Sequence, residues 1–470
     1  MKRISVLYLF CTLLTVNVMA DELESTGANI SSEEPEAAES IGDSAVAGIK
    51  LMKHVYNWDD YNPERGFFQK AYSDKSDPTF MISNENDSFQ FGIGGTVHMT
   101  ASQDFYGSVY NTRFVTWNIP VPTDHANHFG LNMASTEFYC KTKAMMGGRQ
   151  LIGFISIYAN DNENIELGQA YISYGGLSVG KTYSFFMDLA AGVQNVDLRG
   201  PNTQVSRTHA LIGYTLPIKE NWIVAAAVEK TELDLIQDES KGLYRENQSV
   251  PDIAAKIVYR SSFGHLQLSG IYRTLRYWSL DKALPADVDY ENGSTKFCPG
   301  VGVSLSGKIN ITKKSFISFQ SIMGKGIQQY IGDFSNTHMD IVPDRRIVPS
   351  SKNSFYKMKT MPLFGGYAGM QSNLTSKFTV DGVFGIVRMK TPKIADATGF
   401  SDETMIYLDY KRTAYFALNA FYHLNGFCTV GAGFLSGYKW KRERDNAHLL
   451  TGNTECGMAN RLSLMFTYSF

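Results

Sequence analysis

From Asp87 to the final Phe470 the chain sets apolar side chains at every second position, and this period limits its possible folds more than any other feature. The last ten residues, RLSLMFTYSF, carry it plainly. Leu462, Leu464, Phe466, Tyr468 and Phe470 share one parity; Arg461, Ser463, Met465, Thr467 and Ser469, mostly polar, share the other. Successive side chains of a strand point to opposite faces, so this pattern predicts strands with one apolar and one polar face. SFQFGIGGTVHMTA repeats it, with Phe89, Phe91, Ile93, Val97 and Met99 against Gln90, Thr96, His98 and Thr100. THALIGYTL, NWIVAAAVEK, PDIAAKIVYR, FTVDGVFGIV and AYFALNAFYHL follow the same rule. A soluble sandwich usually ends on a polar tail, because free termini are seldom buried. A strand standing between lipid and water keeps its aromatic side chains to the last residue.

The connections sharpen this reading. Short ones fall at 145–149, 175–176, 217–221, 261–264, 312–314, 373–376 and 425–426. They alternate with mostly long ones near 102–130, 184–203, 231–250, 277–297, 326–361, 390–405 and 438–457, the brief loop near Asn160 excepted. Tight turns at one end and long loops at the other are what an outer-membrane barrel of about 16 strands requires. Past the first 20 residues no run approaches the ~18 apolar residues of a spanning helix. The 41 Gly, 26 Tyr and 29 Phe suit closely packed strands edged by aromatic girdles.

Residues 1–20, MKRISVLYLFCTLLTVNVMA, have two bases, an apolar core and a small-residue finish, the pattern of a secretory signal cleaved before Asp21. Residues 21–40 hold seven acids and no base, and their composition predicts disorder. Setting those acids and the bases Lys2 and Arg3 aside turns the formal net charge of −2 into +3, far short of a nucleic-acid binder's excess. Ile41, Ala45, Ile49, Met52 and Tyr56 recur at helical spacing. The expected organisation is therefore a signal over 1–20, an acidic segment and short periplasmic helix over 21–56, an irregular linker over 57–86 and a barrel over 87–470.

Enzyme chemistry has little to stand on. The nine His match no metal-ligand spacing, and Cys140, Cys298, Cys428 and Cys456 form no CxxC. The Gly-rich stretches at 91–98 and 300–307 read as strands with no following helix to hold a phosphate. No cofactor, metal or catalytic residue is expected. Cys298 and Cys456 both fall at outer loop ends, which leaves open either a disulfide or four separate small apolar residues.

The most distinctive stretch is GQAYISYGGLSVGKTYSFFMDLAAGVQNVDLRGPN, 168–202. Gln169, Ala170, Tyr171, Ser173, Tyr174 and Gly175, then Gly180, Thr182, Ser184, Phe186, Met187 and Asp188, then Gly200, Pro201 and Asn202, give it a resemblance to the DcaP-like outer-membrane porins. The resemblance is specific over about 50 residues and general elsewhere. It implies a homotrimer of 16-stranded barrels in the bacterial outer membrane, each narrowed by a third loop folded into its channel, and a helical periplasmic extension. The strand count makes 184–203 the third outer loop, and Phe185, Phe186, Met187, Leu189 and Val193 suit a loop packed on an inner wall. Ser184, Phe186, Met187, Asp188, Asp197, Gly200, Pro201 and Asn202 are the expected constriction. The fold class is thus all-β: a transmembrane antiparallel barrel of about 16 strands with an inward third loop and a short helical or disordered N-terminal extension.

Parity points Arg207, His209, Lys256, Arg260, Arg273 and Lys308 into the lumen, and Arg199 joins them from the loop. Such a basic ladder favours anions, since Arg and Lys line anion-selective pores and Arg pairs with carboxylates. Replacing Arg207 and Arg273 with Ala would then lower anion selectivity. Inward acids, Glu166, Glu229, Asp252 and Asp381, with Asp188 and Asp197 on the loop, oppose that reading. Arg388 has outward parity near a strand end, where its side chain reaches the interface. The expected partners are outer-membrane lipids and small anionic or neutral solutes, with no nucleic acid. The competing reading is an adhesive barrel with a blocked pore that binds surfaces through loops such as 326–361.

Overall fold

The computed structural model describes residues 49–53, 78, 80–84, 86, 88–109, 112–197, 200–233, 235, 243–245, 248–280, 293–334, 337, 339–343, 358–391, 408–445 and 449–470. Sixteen antiparallel strands close into a barrel. The first eight are β1 (Phe89–Phe105), β2 (Glu137–Met146), β3 (Arg149–Ala159), β4 (Ile165–Tyr174), β5 (Leu177–Tyr183), β6 (Thr208–Lys219), β7 (Trp222–Glu229) and β8 (Asp252–Ser261). They are followed by β9 (Gly264–Leu280), β10 (Gly293–Asn310), β11 (Ser315–Lys325), β12 (Pro362–Asn373), β13 (Phe378–Met389), β14 (Tyr410–His423), β15 (Cys428–Arg444) and β16 (Leu450–Ser469). Each pairs with its sequence neighbour, and β16 returns to β1 from Asn460↔Phe105 to Ser469↔Thr96. The outer loops are numbered L1 to L8 along the chain.

Tight turns separate the hairpins at the periplasmic end. Gly147 and Gly148, then Gly175 and Gly176, all have positive φ. Two successive positive-φ residues make the turn whose twist matches the flanking strands, and glycine adopts it without strain.

The predicted parity holds through β16: Leu462, Leu464, Phe466, Tyr468 and Phe470 are exposed, while Arg461, Ser463 and Met465 are buried. An exposed apolar band also runs over β6 (Ile212, Tyr214, Leu216), β8 (Ile253, Ile257) and β10 (Val301, Val303, Leu305). Hydrocarbon covers this band in the membrane. Placing a charge in it, as in Val303→Arg, is expected to cost about 2–4 kcal/mol if the site lies near the midplane. Denaturant titration of the refolded barrel in lipid vesicles checks this; equal stability of the variant would contradict the lipid-facing assignment.

Two local expectations are corrected and one open alternative is decided. Ile49–Lys53 is a strand, not part of a helix; it pairs with Phe80–Asn84, which pairs with the start of β1. A lone short helix is marginal in water, whereas an open strand edge supplies backbone partners at once. The remainder of the expected helix lies outside the described residues. Second, β9 and β10 extend to Leu280 and from Gly293, and β15 and β16 to Arg444 and from Leu450, into segments read as loops. The ladder continues there through Tyr277↔Lys296 and Arg442↔Thr454, and Tyr277 and Ser279 stay buried on the inner face. Third, Cys298 is buried facing inward on β10 and Cys456 is exposed on β16; both are free thiols. These strands are not neighbours, so no disulfide joins them.

The inward loops pack against the barrel wall, in one cluster around L3 and L6 and in a second where Phe114, Ile119 and Val196 meet Tyr415, Phe421 and Leu435. Phe185, Phe186 and Met187 of L3 meet Ile327, Tyr330, Ile331, Phe334 and Met339 of L6, Trp117 of L1, and Leu211, Ala225, Ala227, Ala254 and Ile271 of the wall. Small inward residues make this space: a Cβ on Gly213 would lie 2.6 Å from the Phe185 ring. Burying each large apolar side chain contributes about 1.5–3 kcal/mol.

Candidate functional site

L3 runs as an arc around the inner wall. It leaves β5 at Ser184, whose N–H donates to Arg207 O at 2.9 Å. The Ser184 hydroxyl accepts from Phe186 N–H at 3.1 Å. Ser269 Oγ donates to Phe186 O at 2.9 Å, and Gln267 Nε2 and Lys256 Nζ donate to Met187 O at 3.0 and 3.3 Å. The backbone of the arc thus finds its partners on β8 and β9, as a buried loop must.

Asp188 fastens the arc to β9 and β10. Its carboxylate lies 3.0 Å from His265 Nε2 and accepts from Ser306 Oγ at 2.7 Å and from Ala190 N–H at 3.1 Å. Burial works against its charge, but the His265 and Ser306 contacts hold the carboxyl below the usual range. Farther on, Tyr367 Oη donates to Ala191 O at 3.1 Å, and Tyr415 Oη donates to Asp197 Oδ2 at 3.1 Å. Gly200 passes so near that a Cβ would stand 2.2 Å from Tyr415 Oη. Asn202 Nδ2 donates to Thr116 and Thr413 at 3.2 and 3.1 Å, and the next turn of chain past Pro201 carries Gln204 N–H to Pro201 O at 3.0 Å.

L6 also folds inward, and so does L1. Asp333 of L6 accepts from Thr116 Oγ1 at 2.6 Å, Trp117 N–H at 3.1 Å and Thr413 Oγ1 at 2.9 Å, which ties L1, L6 and β14 together. The described part of 326–361 is therefore mostly buried lumen filling rather than a loop reaching outward for surfaces; 344–357 lie outside the described residues. The apolar density of Ile327, Tyr330, Ile331, Phe334 and Met339 is the signal that marks L6, as similar residues marked L3.

The basic ladder does not stand free. Arg273 is fully buried: Nε donates to Asp252 at 2.9 Å, Nη1 to Asp340 at 3.0 Å and to Gly326 O at 2.8 Å, and Nη2 to Glu232 O at 2.6 Å. Arg207 pairs with Glu232. Lys256 is buried under L3, 5.3 Å from the Phe185 ring centroid. His209 is buried beside Tyr330, at 5.3 Å between ring centroids. Arg260 and Lys308 are half-buried toward the periplasmic end, Lys308 3.5 Å over the Phe316 ring. Arg199 lies outside the described residues. Parity predicted the inward face correctly for these positions, but Arg273 fastens L6, Lys256 fastens L3 and Arg207 is paired with Glu232 of L4.

On the other side of the arc a cleft of about 390 Å³ is lined by His98, Thr100, Arg113, Asp197, Arg461 and Ser463, among others. A second of about 220 Å³ shares Arg113, Phe114 and Asp197 with it and adds Gly200, Asn202 and Asp333. Of the expected constriction residues, Asp197, Gly200 and Asn202 line these spaces, while Ser184, Phe186, Met187 and Asp188 are wall anchors. Arg461 is held by Asp104, with Nη2 at 3.1 Å from Oδ2, and donates through Nη1 to Thr112 O at 2.8 Å. Arg113 pairs with Asp161 of L2. Burial pushes the Asp197 carboxyl up from its ordinary range, against Arg461 and Tyr415, which pull it down. Neither Arg113 nor Arg461 belongs to the predicted ladder; Arg461 was visible as the one charge among the last ten residues, and Arg113 had no periodic context.

A closed 16-stranded barrel with an apolar outer band and loops folded into its lumen is a bacterial outer-membrane porin, a channel-forming protein. The model of the porin subfamily matches residues 90–391, and the chain belongs to that family. In fold it is similar to the outer membrane channel DcaP of Acinetobacter baumannii, with a TM-score of 0.62 at 14% identity, covering 83% of this chain and 99% of that one. An anion-selective porin from Comamonas acidovorans aligns with a TM-score of 0.48 at 10% identity, over 81% of this chain and all of that one (100%). OmpT of Vibrio cholerae gives 0.45 at 9% identity, over 82% and 98%. No curated protein matches the sequence.

Proposed function

We propose that the chain is exported by a cleaved signal over residues 1–20 and forms a water-filled channel for passive diffusion of small hydrophilic solutes. It favours anions, carboxylates among them, and acts without enzymatic chemistry. The observation that carries the preference is the charge of the cleft beside L3. Arg113 and Arg461 line it, each also paired with a carboxylate outside the lining, Asp161 and Asp104, and the lining itself holds one carboxylate, Asp197, whose ionisation is opposed by burial. Guanidinium forks match the two oxygens of a carboxylate, and rings of such charge select anions in narrow pores. The selective cations on this reading are Arg113 and Arg461, which line the cleft, rather than Arg273, which is fully buried against Asp252 and Asp340. Assembly as a homotrimer rests on the resemblance to the trimeric porins.

Arg113→Ala is expected to lower the anion-to-cation permeability ratio roughly two- to fivefold, because it removes one of two cations from the narrow region. Reversal potential across a planar bilayer in a salt gradient measures the ratio directly. An unchanged ratio with normal conductance would remove the anion preference while leaving the channel. The packing of L1, L3 and L6 inside the lumen favours a second reading, a blocked barrel, and complete absence of conductance steps would select it.

A further inference from the structure

Three cations at the outer rim of the barrel face away from the lumen and take no part in the constriction. Arg388, near the end of β13, and Arg412, near the start of β14, stand directly opposite each other in the antiparallel register. Both are exposed, and so is Lys390, two residues beyond Arg388. Opposed like charges weaken a sheet, the more so where hydrocarbon lies just below. Among the described residues no carboxylate forms an ion pair with Arg388, Lys390 or Arg412. Reaching up to the interface would serve one arginine; two adjacent ones need a counter-anion.

Their surroundings indicate where that anion comes from. The Arg412 guanidinium lies 4.4 Å over the Trp440 ring, and Trp440 stacks on Tyr438 at 5.7 Å and 20°. Aromatic rings of this kind mark the headgroup level of a membrane. Phe364, the cross-strand neighbour of Arg388 on the other side, is exposed, and Phe384 and Ile386 continue an exposed apolar surface toward the membrane centre. A cationic pair above an apolar floor fits a molecule with an anionic head and hydrocarbon chains. A free anion has no use for that floor.

We propose that Arg388 and Arg412, with Lys390, seat the phosphate of an outer-leaflet lipid whose acyl chains lie over Phe364, Phe384 and Ile386. Two guanidinium forks side by side offer paired hydrogen bonds to separate phosphate oxygens, and the stacked Trp440 holds one fork in place. The seat depends on the outer-membrane location and not on the selectivity of the channel.

The test titrates the full mature protein in detergent with bisphosphorylated lipid A and with its dephosphorylated form, and measures binding by thermophoresis. The phosphorylated lipid is expected to bind about tenfold or more tightly, as charge-assisted hydrogen bonds imply. Arg388→Gln with Arg412→Gln should abolish that difference without altering single-channel conductance, and Arg388→Lys with Arg412→Lys should keep part of it. Should the double Gln variant fail to fold, Arg388→Gln alone is read in the same titration. Equal binding of the two lipids, or an undiminished preference in the Gln variant, overturns the proposal. So does inorganic phosphate that displaces the lipid with equal affinity, since that outcome describes a free-anion site.

Discussion

Arg273→Ala is expected to destabilise the folded barrel by about 3–5 kcal/mol, the cost of stripping one partner from a buried ionic cluster. Asp252 and Asp340 both lie against this guanidinium, at 2.9 and 3.0 Å, and all three side chains are fully buried. Their removal from water is offset only while the opposite charges and the hydrogen bonds to Gly326 O and Glu232 O are all present. Without Arg273 two carboxylates face each other, with Tyr330 Oη donating to Asp252 at 2.9 Å and Thr231 Oγ1 at 2.7 Å as the remaining support. L6 should detach first, because Asp340 is its tie to β9 and also accepts from Gln329 N–H at 3.2 Å. Heat-modifiability on gels and denaturant titration read the loss, and adding Asp252→Asn and Asp340→Asn should recover part of it. Anion selectivity should stay unchanged in whatever folds. A stable variant with altered selectivity would mean that Arg273 faces solute after all.

Asp188→Ala should loosen the middle of L3 and give a larger, noisier single-channel conductance. Each hydrogen bond to a charged carboxylate contributes about 1.5–3 kcal/mol, and Asp188 receives bonds from Ser306, Ala190 N–H and His265. The Phe185–Met187 anchor remains buried in the variant, so the loop should stay attached at its start and swing beyond it. Asp188→Asn retains the shape and should fall between. Quiet channels of unchanged size in Asp188→Ala would show that the apolar anchor alone positions the arc.

The two outcomes depend on contacts of differing visibility. Phe185, Phe186 and Met187 are legible as loop residues seeking a wall, because three large apolar side chains in a solvated loop are costly. Asp188 is legible only as a charge on that loop; its partners His265 and Ser306 lie 77 and 118 residues away. Trp117, Ile119 and Phe114 show the same apolar density in L1, yet nothing local says that they pack beside Asp333 of L6 and Tyr415 of β14.

The sequence by itself determined the barrel: in a pleated strand each side chain's face follows from its position modulo two, so Leu462, Leu464, Phe466, Tyr468 and Phe470 share the lipid-facing side whatever else the chain does. It also determined that Arg207, Lys256 and Arg273 point inward. Only the tertiary structure decided whether those charges meet solute or carboxylates, because Glu232, Asp340 and the L3 backbone reach them through loop placement that no local period encodes. Direction is a property of the backbone, one residue at a time. Neutralisation and accessibility are properties of what the closed cylinder brings together, and at Arg273 that is an aspartate 67 residues downstream.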